Sequence, residues 1–284
     1  MFDSMGSILE ALSPEQQIAC STQNNILLTA CPGSGKTRTL THRLAYQVLR
    51  DPASKKIKIA ITYTNRAAEE ITNRLEGMNI DQSSIWAGTI HQFCMHFIIR
   101  PYAMYSKRLC KGYRIIDDYS KKAYGREIAE RLGMHLNYYD DPFQYENVRT
   151  EYKRVLKEKK EIDFDAILLI SEELLASCAF IGSNIASVIS SILVDEFQDT
   201  NELQYSILST IYKANKSIIL MFVGDVNQAI YSSLGGVAKG KKELETLYEI
   251  NFDSLSLKGC YRSTQRLVDL YSRFEISKTD AHSV

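Results

Sequence analysis

The sequence predicts an α/β fold in which helices cover both faces of a mainly parallel β-sheet. Short, continuously apolar runs typical of buried strands alternate with amphipathic stretches typical of helices. The strands are predicted at 26–29, 57–63, 189–194, 218–223 and 255–257, and the clearest helices at 37–49, 67–75 and 202–212. Ligands of such sheets bind at the carboxyl ends of the strands, so the residues that follow each strand are the first candidates for a functional site.

The first predicted strand leads into a phosphate-binding loop. Residues 30–37 read ACPGSGKT and lie between a strand and a helix, which is the context that such a loop requires. The two glycines let backbone N–H groups turn toward phosphates. Lys36 can reach the β- and γ-phosphates, and Thr37 can ligate Mg²⁺. The sequence therefore predicts binding of ATP with Mg²⁺ by Pro32, Gly33, Ser34, Gly35, Lys36 and Thr37.

Polar groups that suit hydrolysis follow two later strands. Asp195 can hold Mg²⁺, directly or through water, and Glu196 can act as the general base that polarises the attacking water. An acidic strand end is common by itself, but its combination with a phosphate loop favours a metal-assisted hydrolase. After the strand at 218–223, Gln228 could contact the γ-phosphate or cap its own loop, and the spacing alone leaves both open.

The region between the second and third strands differs from the rest. It is rich in Tyr, Lys and Arg, lacks clear strand runs, and includes a charged helix predicted at 146–160. We interpret 101–160 as a helical insertion. It would interrupt a discontinuous domain formed by 1–100 and 161–284.

The composition excludes several classes of protein. The 284 residues are 45% hydrophobic and 24% charged, and no apolar run approaches the roughly 20 residues that span a bilayer. The start of the chain lacks the features of a signal peptide, so we expect a cytoplasmic location and no membrane partner. The six cysteines form no CxxC pair, which argues against a zinc or redox motif. The net charge of zero is no sign of nucleic-acid binding, but it is compatible with a local basic groove.

Further segments, in chain order, resemble the motifs of one family, the superfamily 1A DNA helicases of the UvrD/Rep type. The resemblance covers almost the whole chain except the insertion, and the segment at 195–201 (DEFQDTN) is its most specific part. The matching segments are 12–16 (Q motif), 35–43 (continuation of the phosphate loop), 62–68 (motif Ia), 88–93 (motif Ib), 162–165 (a short signature), 195–201 (motif II), 223–231 (motif III) and 260–264 (motif IV).

The resemblance implies a RecA-like P-loop NTPase domain, called 1A in this family, with the insertion as a short 1B subdomain. It implies that Gln16 reads the adenine edge and that Arg38 contacts the base or the ribose. Gln228 and Arg262 would face the γ-phosphate, although Arg262 could instead form a surface ion pair. The implied catalytic set is Lys36, Asp195, Glu196, Gln228 and Arg262.

The resemblance also implies a grip on single-stranded DNA. Side chains on loops at one sheet edge can hold phosphates without reading sequence. Tyr63 and His91 could stack on bases or pack in the core. The implied DNA-binding set is Tyr63, Thr64, Asn65, Arg66, Thr89, His91 and Tyr231.

The implied function is ATP-driven translocation on single-stranded DNA with unwinding, in the 3′ to 5′ direction. The sequence departs from the family in two ways. Ser233 and Leu234 stand where a base-stacking aromatic residue and an arginine are expected. Motifs V and VI of the second RecA-like domain are not found, so we expect the chain as given to be incomplete as a motor.

The departures leave a second interpretation open. The missing motifs make a second helicase domain an expected partner. The alternative is a truncated, non-motor regulatory subunit that binds ATP or DNA in a DNA repair or anti-phage nuclease complex. The short 1B-like insertion resembles the compact versions in UvrD-like subunits of anti-phage systems such as Gabija. A P-loop kinase is disfavoured because motifs Ia, Ib and IV have no use there.

Overall fold

The chain divides into two compact units. The first is Met1–Ile90 with Gly182–Val284, and the second is His91–Ile181. The computed structural model describes residues 2–137, 139–228, 238–274 and 281–284. The insertion predicted at 101–160 lies inside the second unit. Within the described residues, no helix is long and apolar enough to cross a membrane.

The first unit is built on a parallel β-sheet. Its six strands lie in the order β3-β2-β6-β7-β1-β8, and every neighbouring pair in the described residues is parallel. This confirms the predicted α/β fold. The strands of the chain are β1 Ile26–Ala30, β2 Ile57–Thr62, β3 Ile85–Thr89, β4 Arg114–Ile115, β5 Glu161–Ile162, β6 Ile189–Asp195, β7 Ile219–Gly224, β8 Asp253–Leu257, β9 Gly259–Cys260 and β10 His282–Ser283.

Helices separate most of these strands. Several begin at polar residues whose side chains accept a backbone N–H of the first turn, as Ser13, Thr64 and Asn201 do. A π-helical turn, Cys94–Ile99, joins the fifth and sixth helices. The α-helices are α1 Phe2–Glu10, α2 Pro14–Ser21, α3 Lys36–Arg50, α4 Asn65–Gly77, α5 Ile90–Phe93, α6 Arg100–Tyr102, α7 Asp118–Arg131, α8 Glu146–Lys159, α9 Phe164–Ser177, α10 Ala179–Val188, α11 Glu202–Ala214, α12 Lys241–Tyr248 and α13 Gln265–Tyr271.

The five predicted strands are all present, with their ends shifted by one or two residues. The edge strand β3 was not predicted, because its sequence IWAGT is half-exposed and interrupted by a glycine. The other edge strand, β8, begins earlier than predicted because its first residues, Asp253 and Ser254, are exposed and polar. Edge strands lack the continuous apolar pattern of buried ones, so their ends are harder to predict.

The core of the first unit holds α3 against the middle of the sheet. Leu40 and Leu44 of this helix are fully buried in one cluster with Leu28, Leu193 and Met221 of three adjacent strands. Burying a side chain of this size stabilises a fold by about 1.5–3 kcal/mol. This packing positions the beginning of α3, and therefore the phosphate loop before it.

The second unit has its own small core. Two short strands, β4 and β5, pair in parallel, α8 packs beside β5, and α7 packs against α8. The strands have two residues each, which is too short to leave an apolar pattern in the sequence. The core residues are Ile116, Ile128, Ala129, Val148, Tyr152, Val155 and Leu156.

Replacing Leu193, which is fully buried in the central strand β6, should destabilise the first unit strongly. We expect Leu193→Ala to lower the free energy of unfolding by about 2–5 kcal/mol, because a cavity remains in the close-packed core. The measurement is urea denaturation followed by circular dichroism. Leu267→Ala is the control, since Leu267 is 52% exposed and its loss should change stability by no more than about 0.5 kcal/mol. Equal effects of the two changes would contradict this account of the core.

Candidate active site

The phosphate loop lies between the end of β1 and the beginning of α3. Gly33 and Gly35 have φ angles of 78° and 85°, in the left-handed region that favours glycine. Gly35 is also the N-cap of α3, and no side chain caps the helix there. Among the described residues, no side chain therefore caps the first N–H groups of α3, and a helix N-terminus of this kind can bind phosphate.

Two pairs of side chains connect the phosphate loop to the carboxylates after β6. Lys36 Nζ lies 3.0 Å from Glu196 Oε2. The Thr37 hydroxyl donates to Asp195 Oδ2 at 3.3 Å. The structure thus brings together all four residues that the sequence analysis assigned to phosphate, metal and water.

The Asp195 carboxyl is held in an unusual electrostatic state. Its residue is 5% exposed, and burial raises its pKa to about 7. The charge of Glu196 adds to this rise in pKa, while Lys36 opposes it. A bound divalent cation would favour the charged form of such a group.

The oxygen donors of the site fit Mg²⁺. A threonine hydroxyl and a carboxylate are hard oxygen ligands, which Mg²⁺ prefers. Within the described residues, no group of three or more His, Cys, Asp or Glu side chains forms a metal cage. In the usual nucleotide site, Mg²⁺ takes one or two protein ligands and completes its shell with phosphates and water.

The end of β7 adds a third acidic group. Asp225 is 2% exposed, and burial raises its pKa. Its carboxylate accepts hydrogen bonds from the Asn227 backbone N–H at 3.0 Å and from Gln228 Nε2 at 2.8 Å. Gln228 therefore holds the turn after β7, as the loop-capping interpretation has it. Its amide also lies beside the strand end where the sequence analysis predicted a γ-phosphate contact.

Gln16 packs directly against the phosphate loop. Its Nε2 donates to the Ser34 carbonyl at 3.0 Å, and its Oε1 accepts the Ser13 backbone N–H at 3.1 Å. A Cβ atom at Gly35 would lie 2.8 Å from Gln16 Nε2, so a side chain there would displace this amide, and the φ angle of 85° favours glycine as well. Arg38 donates to the Ala11 carbonyl at 2.7 Å. Gln16 is buried, and both ends of its amide have protein partners.

The segment after β9 lies on the other side of the loop. The Tyr261 backbone N–H donates to the Gly33 carbonyl at 3.0 Å. A Cβ atom at Gly33 would lie 2.6 Å from the Cβ of Arg262, so the two segments are in close contact. Arg262 is exposed, and within the described residues no carboxylate lies in ion-pair distance of it. Residue 262 thus lies beside the phosphate loop, and among the described residues its guanidinium is not taken up by a surface ion pair.

The residues predicted to bind DNA lie mostly after β2 and β3. Thr62 and Thr89 are register partners at the carboxyl ends of these strands. Tyr63 is 45% exposed, so it is not a core residue. The Thr64 hydroxyl accepts the Ala67 N–H and caps α4, which is a structural task. Asn65 and Arg66 are exposed, Thr89 is half-buried, and Tyr231 lies outside the described residues.

His91 belongs to the second unit. Its ring packs edge-on against Phe164, with centroids 6.0 Å apart. Burial lowers its pKa, so the imidazole is uncharged near neutral pH. Its ring is partly covered and already has an aromatic neighbour.

The second unit also contains a cavity of about 1540 Å³. Several of its acidic residues already have partners: Asp163 and Asp165 pair with Lys121, and Glu161 pairs with Arg114. Other lining side chains carry positive charge and, within the described residues, have no acidic side chain in ion-pair distance. They are Lys107, Arg108, Lys111, Lys122, Lys153 and Lys157. The lining also includes four further acidic side chains, Asp118, Asp140, Asp141 and Glu173, so its ten basic residues outnumber its seven acidic ones and give the cavity a modest excess of positive charge.

Comparison with known proteins places the chain in a family. The model of the AAA domain family matches residues 15–234, which include the phosphate loop and both carboxylates. The chain belongs to the AAA domain family. Among curated relatives of this AAA domain protein, the ATP-dependent DNA helicase PcrA of Leuconostoc citreum is 28% identical over 88% of the chain. DNA helicase II of Escherichia coli is 26% identical over 92%.

These relatives confirm the resemblance to the ATP-binding part of UvrD-like helicases. The chain covers 37% of the Leuconostoc protein and 40% of the Escherichia coli protein, so it spans about two fifths of their length. Among solved structures, the Pif1 helicase from Candida albicans aligns over 92% of this AAA domain chain and 44% of its own, with 13% identity and a TM-score of 0.48.

One residue of the site was missed by the sequence analysis. Gln198 lies within motif II, but the sequence alone predicted no role for it. It is 2% exposed and hydrogen-bonds to Glu196. Its position two residues after the candidate base is a signal that could have marked it.

The raised pKa of Asp195 predicts a stability that depends on pH. The folded state binds a proton at this group up to about pH 7, whereas the unfolded chain releases it near pH 4. Stability from this group is therefore present below about pH 4 and is lost as pH rises toward 7. We expect Asp195→Asn to raise the melting temperature over wild type at pH 7.5 more than at pH 5.

The matched control is Asp81→Asn. Hydrogen bonds from Ser83 lower the pKa of Asp81, so this exposed group titrates below the tested range. Asp81→Asn should therefore change the melting temperature by the same amount at pH 5 and at pH 7.5. An Asp195→Asn difference that is constant between pH 5 and pH 7.5 would contradict the electrostatic account of the site. Thermal melts by circular dichroism measure both.

Proposed function

We propose that this chain is the ATP-binding and hydrolysing part of a helicase motor that moves along single-stranded DNA. The observation that carries the proposal is the pairing of the phosphate loop with the two carboxylates after β6. Lys36 lies 3.0 Å from Glu196, and Thr37 lies 3.3 Å from Asp195. This is the set of groups that phosphoryl transfer to water requires.

Each of these residues has a distinct task in the proposed reaction. The loop N–H groups and Lys36 bind the phosphates of ATP, and Thr37 and Asp195 hold Mg²⁺. Bound Mg²⁺ supplies neutralisation of the charge that develops on the phosphates. Glu196 accepts the proton of the attacking water. Its Oε2 is held by Lys36, whereas within the described residues its Oε1 has no hydrogen-bond partner and is open to water.

The remaining nucleotide contacts are proposed from position. Arg262 lies beside Gly33 without a carboxylate partner among the described residues, which supports a contact with the γ-phosphate. Gln228 would sense the same phosphate from the end of β7. Adenine recognition by Gln16 and Arg38 stays a prediction. Both side chains already donate hydrogen bonds to backbone carbonyls of the protein, so these donors would have to change partner to contact the base.

Single-stranded DNA is the proposed second ligand. The curated relatives are named DNA helicases. The exposed loops after β2 and β3 and the cationic cavity of the second unit provide two sets of groups that suit a phosphate backbone. Unwinding, the 3′ to 5′ direction and a second helicase domain as partner belong to the same proposal. A cytoplasmic location is also part of this proposal, and the free thiols of all six cysteines support it.

The regulatory alternative has less support. A nuclease partner in DNA repair or phage defence is suggested neither by the relatives' names nor by a feature of the described residues. The acid pair at Asp195 and Glu196 favours a working ATPase instead.

Two substitutions in the active site test the proposed ATPase. Lys36→Ala should abolish ATP binding, because the phosphate charge loses its main cationic partner. Glu196→Gln should keep ATP binding but slow hydrolysis by roughly 10²- to 10⁴-fold, since the amide cannot accept the proton. Binding is measured with a fluorescent ATP analogue, and hydrolysis by phosphate release with single-stranded DNA present. Normal hydrolysis by Glu196→Gln would overturn the assignment.

A second pair of variants tests DNA binding by the second unit. The triple change Lys122→Ala, Lys153→Ala and Lys157→Ala removes three exposed cations that line the cavity. We expect weaker binding of an oligo-dT strand and a salt dependence reduced by about 0.7 in log–log slope for each lost phosphate contact. Fluorescence anisotropy at several salt concentrations measures both.

The control for charge is a triple change on the first unit. Lys55→Ala, Lys56→Ala and Lys242→Ala remove three exposed cations as well. This variant should bind the strand as wild type does. If both triple variants lose the same affinity, the effect comes from net charge and the cavity is not a DNA site.

A further inference from the structure

Gln198 occupies a constrained position beside the candidate base. It lies in the three-residue 3₁₀ turn Phe197–Asp199 that follows Glu196, whose own φ is 51°. The Tyr205 hydroxyl donates to the Phe197 carbonyl at 2.9 Å and holds this turn. Gln198 is 2% exposed, so its amide must find its partners inside the protein.

The two ends of this amide connect two parts of the site. Its Nε2 donates to Glu196 Oε2 at 2.8 Å, and its Oε1 accepts the Asp225 backbone N–H at 3.1 Å. A carboxylate needs a donor and an N–H needs an acceptor, and the amide of Gln198 offers both at any pH. A Cβ atom at Gly224 would lie 2.2 Å from Gln198 Oε1, so the end of β7 closes directly onto the amide.

The contacts continue on both sides. On one side, Lys36 and Gln198 both bind Oε2 of Glu196, which fixes the carboxylate and leaves Oε1 as the oxygen for the proton. On the other side, Asp225 accepts Gln228 Nε2 at 2.8 Å. An unbroken series of hydrogen bonds therefore runs from Glu196 through Gln198 and Asp225 to Gln228.

We propose that Gln198 is a positioning residue that orients the Glu196 carboxylate and links it to the turn that carries Gln228. This inference rests on the proposed ATPase function. A shift of Gln228 would move the Asp225 turn, and Gln198 would pass the shift to the base. In this proposal Gln198 acts through Glu196 and makes no direct contact with the phosphate or the attacking water.

The first test uses the full protein with saturating ATP, Mg²⁺ and single-stranded DNA. Gln198→Met keeps the size of the side chain but removes both hydrogen bonds. We expect kcat to fall roughly 10- to 100-fold, the effect of losing a hydrogen bond to a charged group, while KM for ATP stays close to wild type. A wild-type kcat would overturn the inference.

The second variant, Gln198→Glu, has a signature that a merely structural residue would not show. The new carboxyl can donate to Glu196 only when protonated, so its kcat should recover relative to wild type as pH falls from about 8 to about 6. The ratio to wild type is used because the other charged groups around Glu196 also titrate or pair with it. They are Lys36, Asp195, Asp199 and Asp225. A ratio that does not change with pH would count against the positioning role.

The matched control is Gln204→Met. Gln204 accepts the Asn201 N–H and caps α11, so its loss should lower the melting temperature without changing kcat or the pH profile. Equal losses of kcat in Gln198→Met and Gln204→Met would assign both effects to stability and overturn the inference.

The link to Gln228 is tested by a double-mutant cycle with Gln228→Met. If Gln198 passes the shift on, the effect of Gln228→Met on kcat should be smaller in the Gln198→Met background. If the two effects on kcat are strictly additive, Gln198 and Gln228 are not linked. The proposed function is judged separately by wild type and Glu196→Gln: hydrolysis that is absent in wild type, or unchanged in Glu196→Gln, defeats both proposals. If those two behave as expected and Gln198→Met is normal, only the role of Gln198 fails.

Discussion

Two glycines of the phosphate loop have positive φ angles and lie in close contact with distant segments, and the arrangement of the site depends on them. Gly33 lies against the segment that carries Arg262, and Gly35 lies against the amide of Gln16. Both glycines have positive φ angles, so their backbone conformation and their close contacts require the same residue type. The loop can therefore present its N–H groups on one side while distant segments of the chain pack against its edges.

Burial then sets the electrostatics of the site. Asp195 and Asp225 lie at the ends of adjacent strands, and burial raises the pKa of both carboxyls. The ammonium group of Lys36 offsets part of this cost at Asp195, and it also holds one oxygen of Glu196. A site of this kind favours incoming positive charge, such as Mg²⁺, and keeps the Glu196 carboxylate in a defined orientation.

Much of this protein was predictable because its motifs are local. The phosphate loop, the acid pair and the five most apolar strands each lie within a few consecutive residues, so composition and order reveal them. The strand β3 was missed because it is an edge strand with a glycine, and β4 and β5 are too short to show a pattern. The role of Gln198 was missed because its partners, Glu196 and Asp225, meet only in the folded chain.

The sequence by itself determined the chemistry of the site: which residues can bind phosphate, hold Mg²⁺ and accept a proton, and the strand ends where they lie. The tertiary structure decided which groups meet. Because the strands are parallel, the carboxyl ends of β1, β6 and β7 meet at one edge of the sheet, and the end of β2 lies beside that of β6 at the same edge. The fold also determines two hydrogen bonds: the Gln16 amide donates to the phosphate loop, and the Gln198 amide donates to Glu196. Strand order and hydrogen-bond partners depend on contacts between residues far apart in the chain, which no local pattern records.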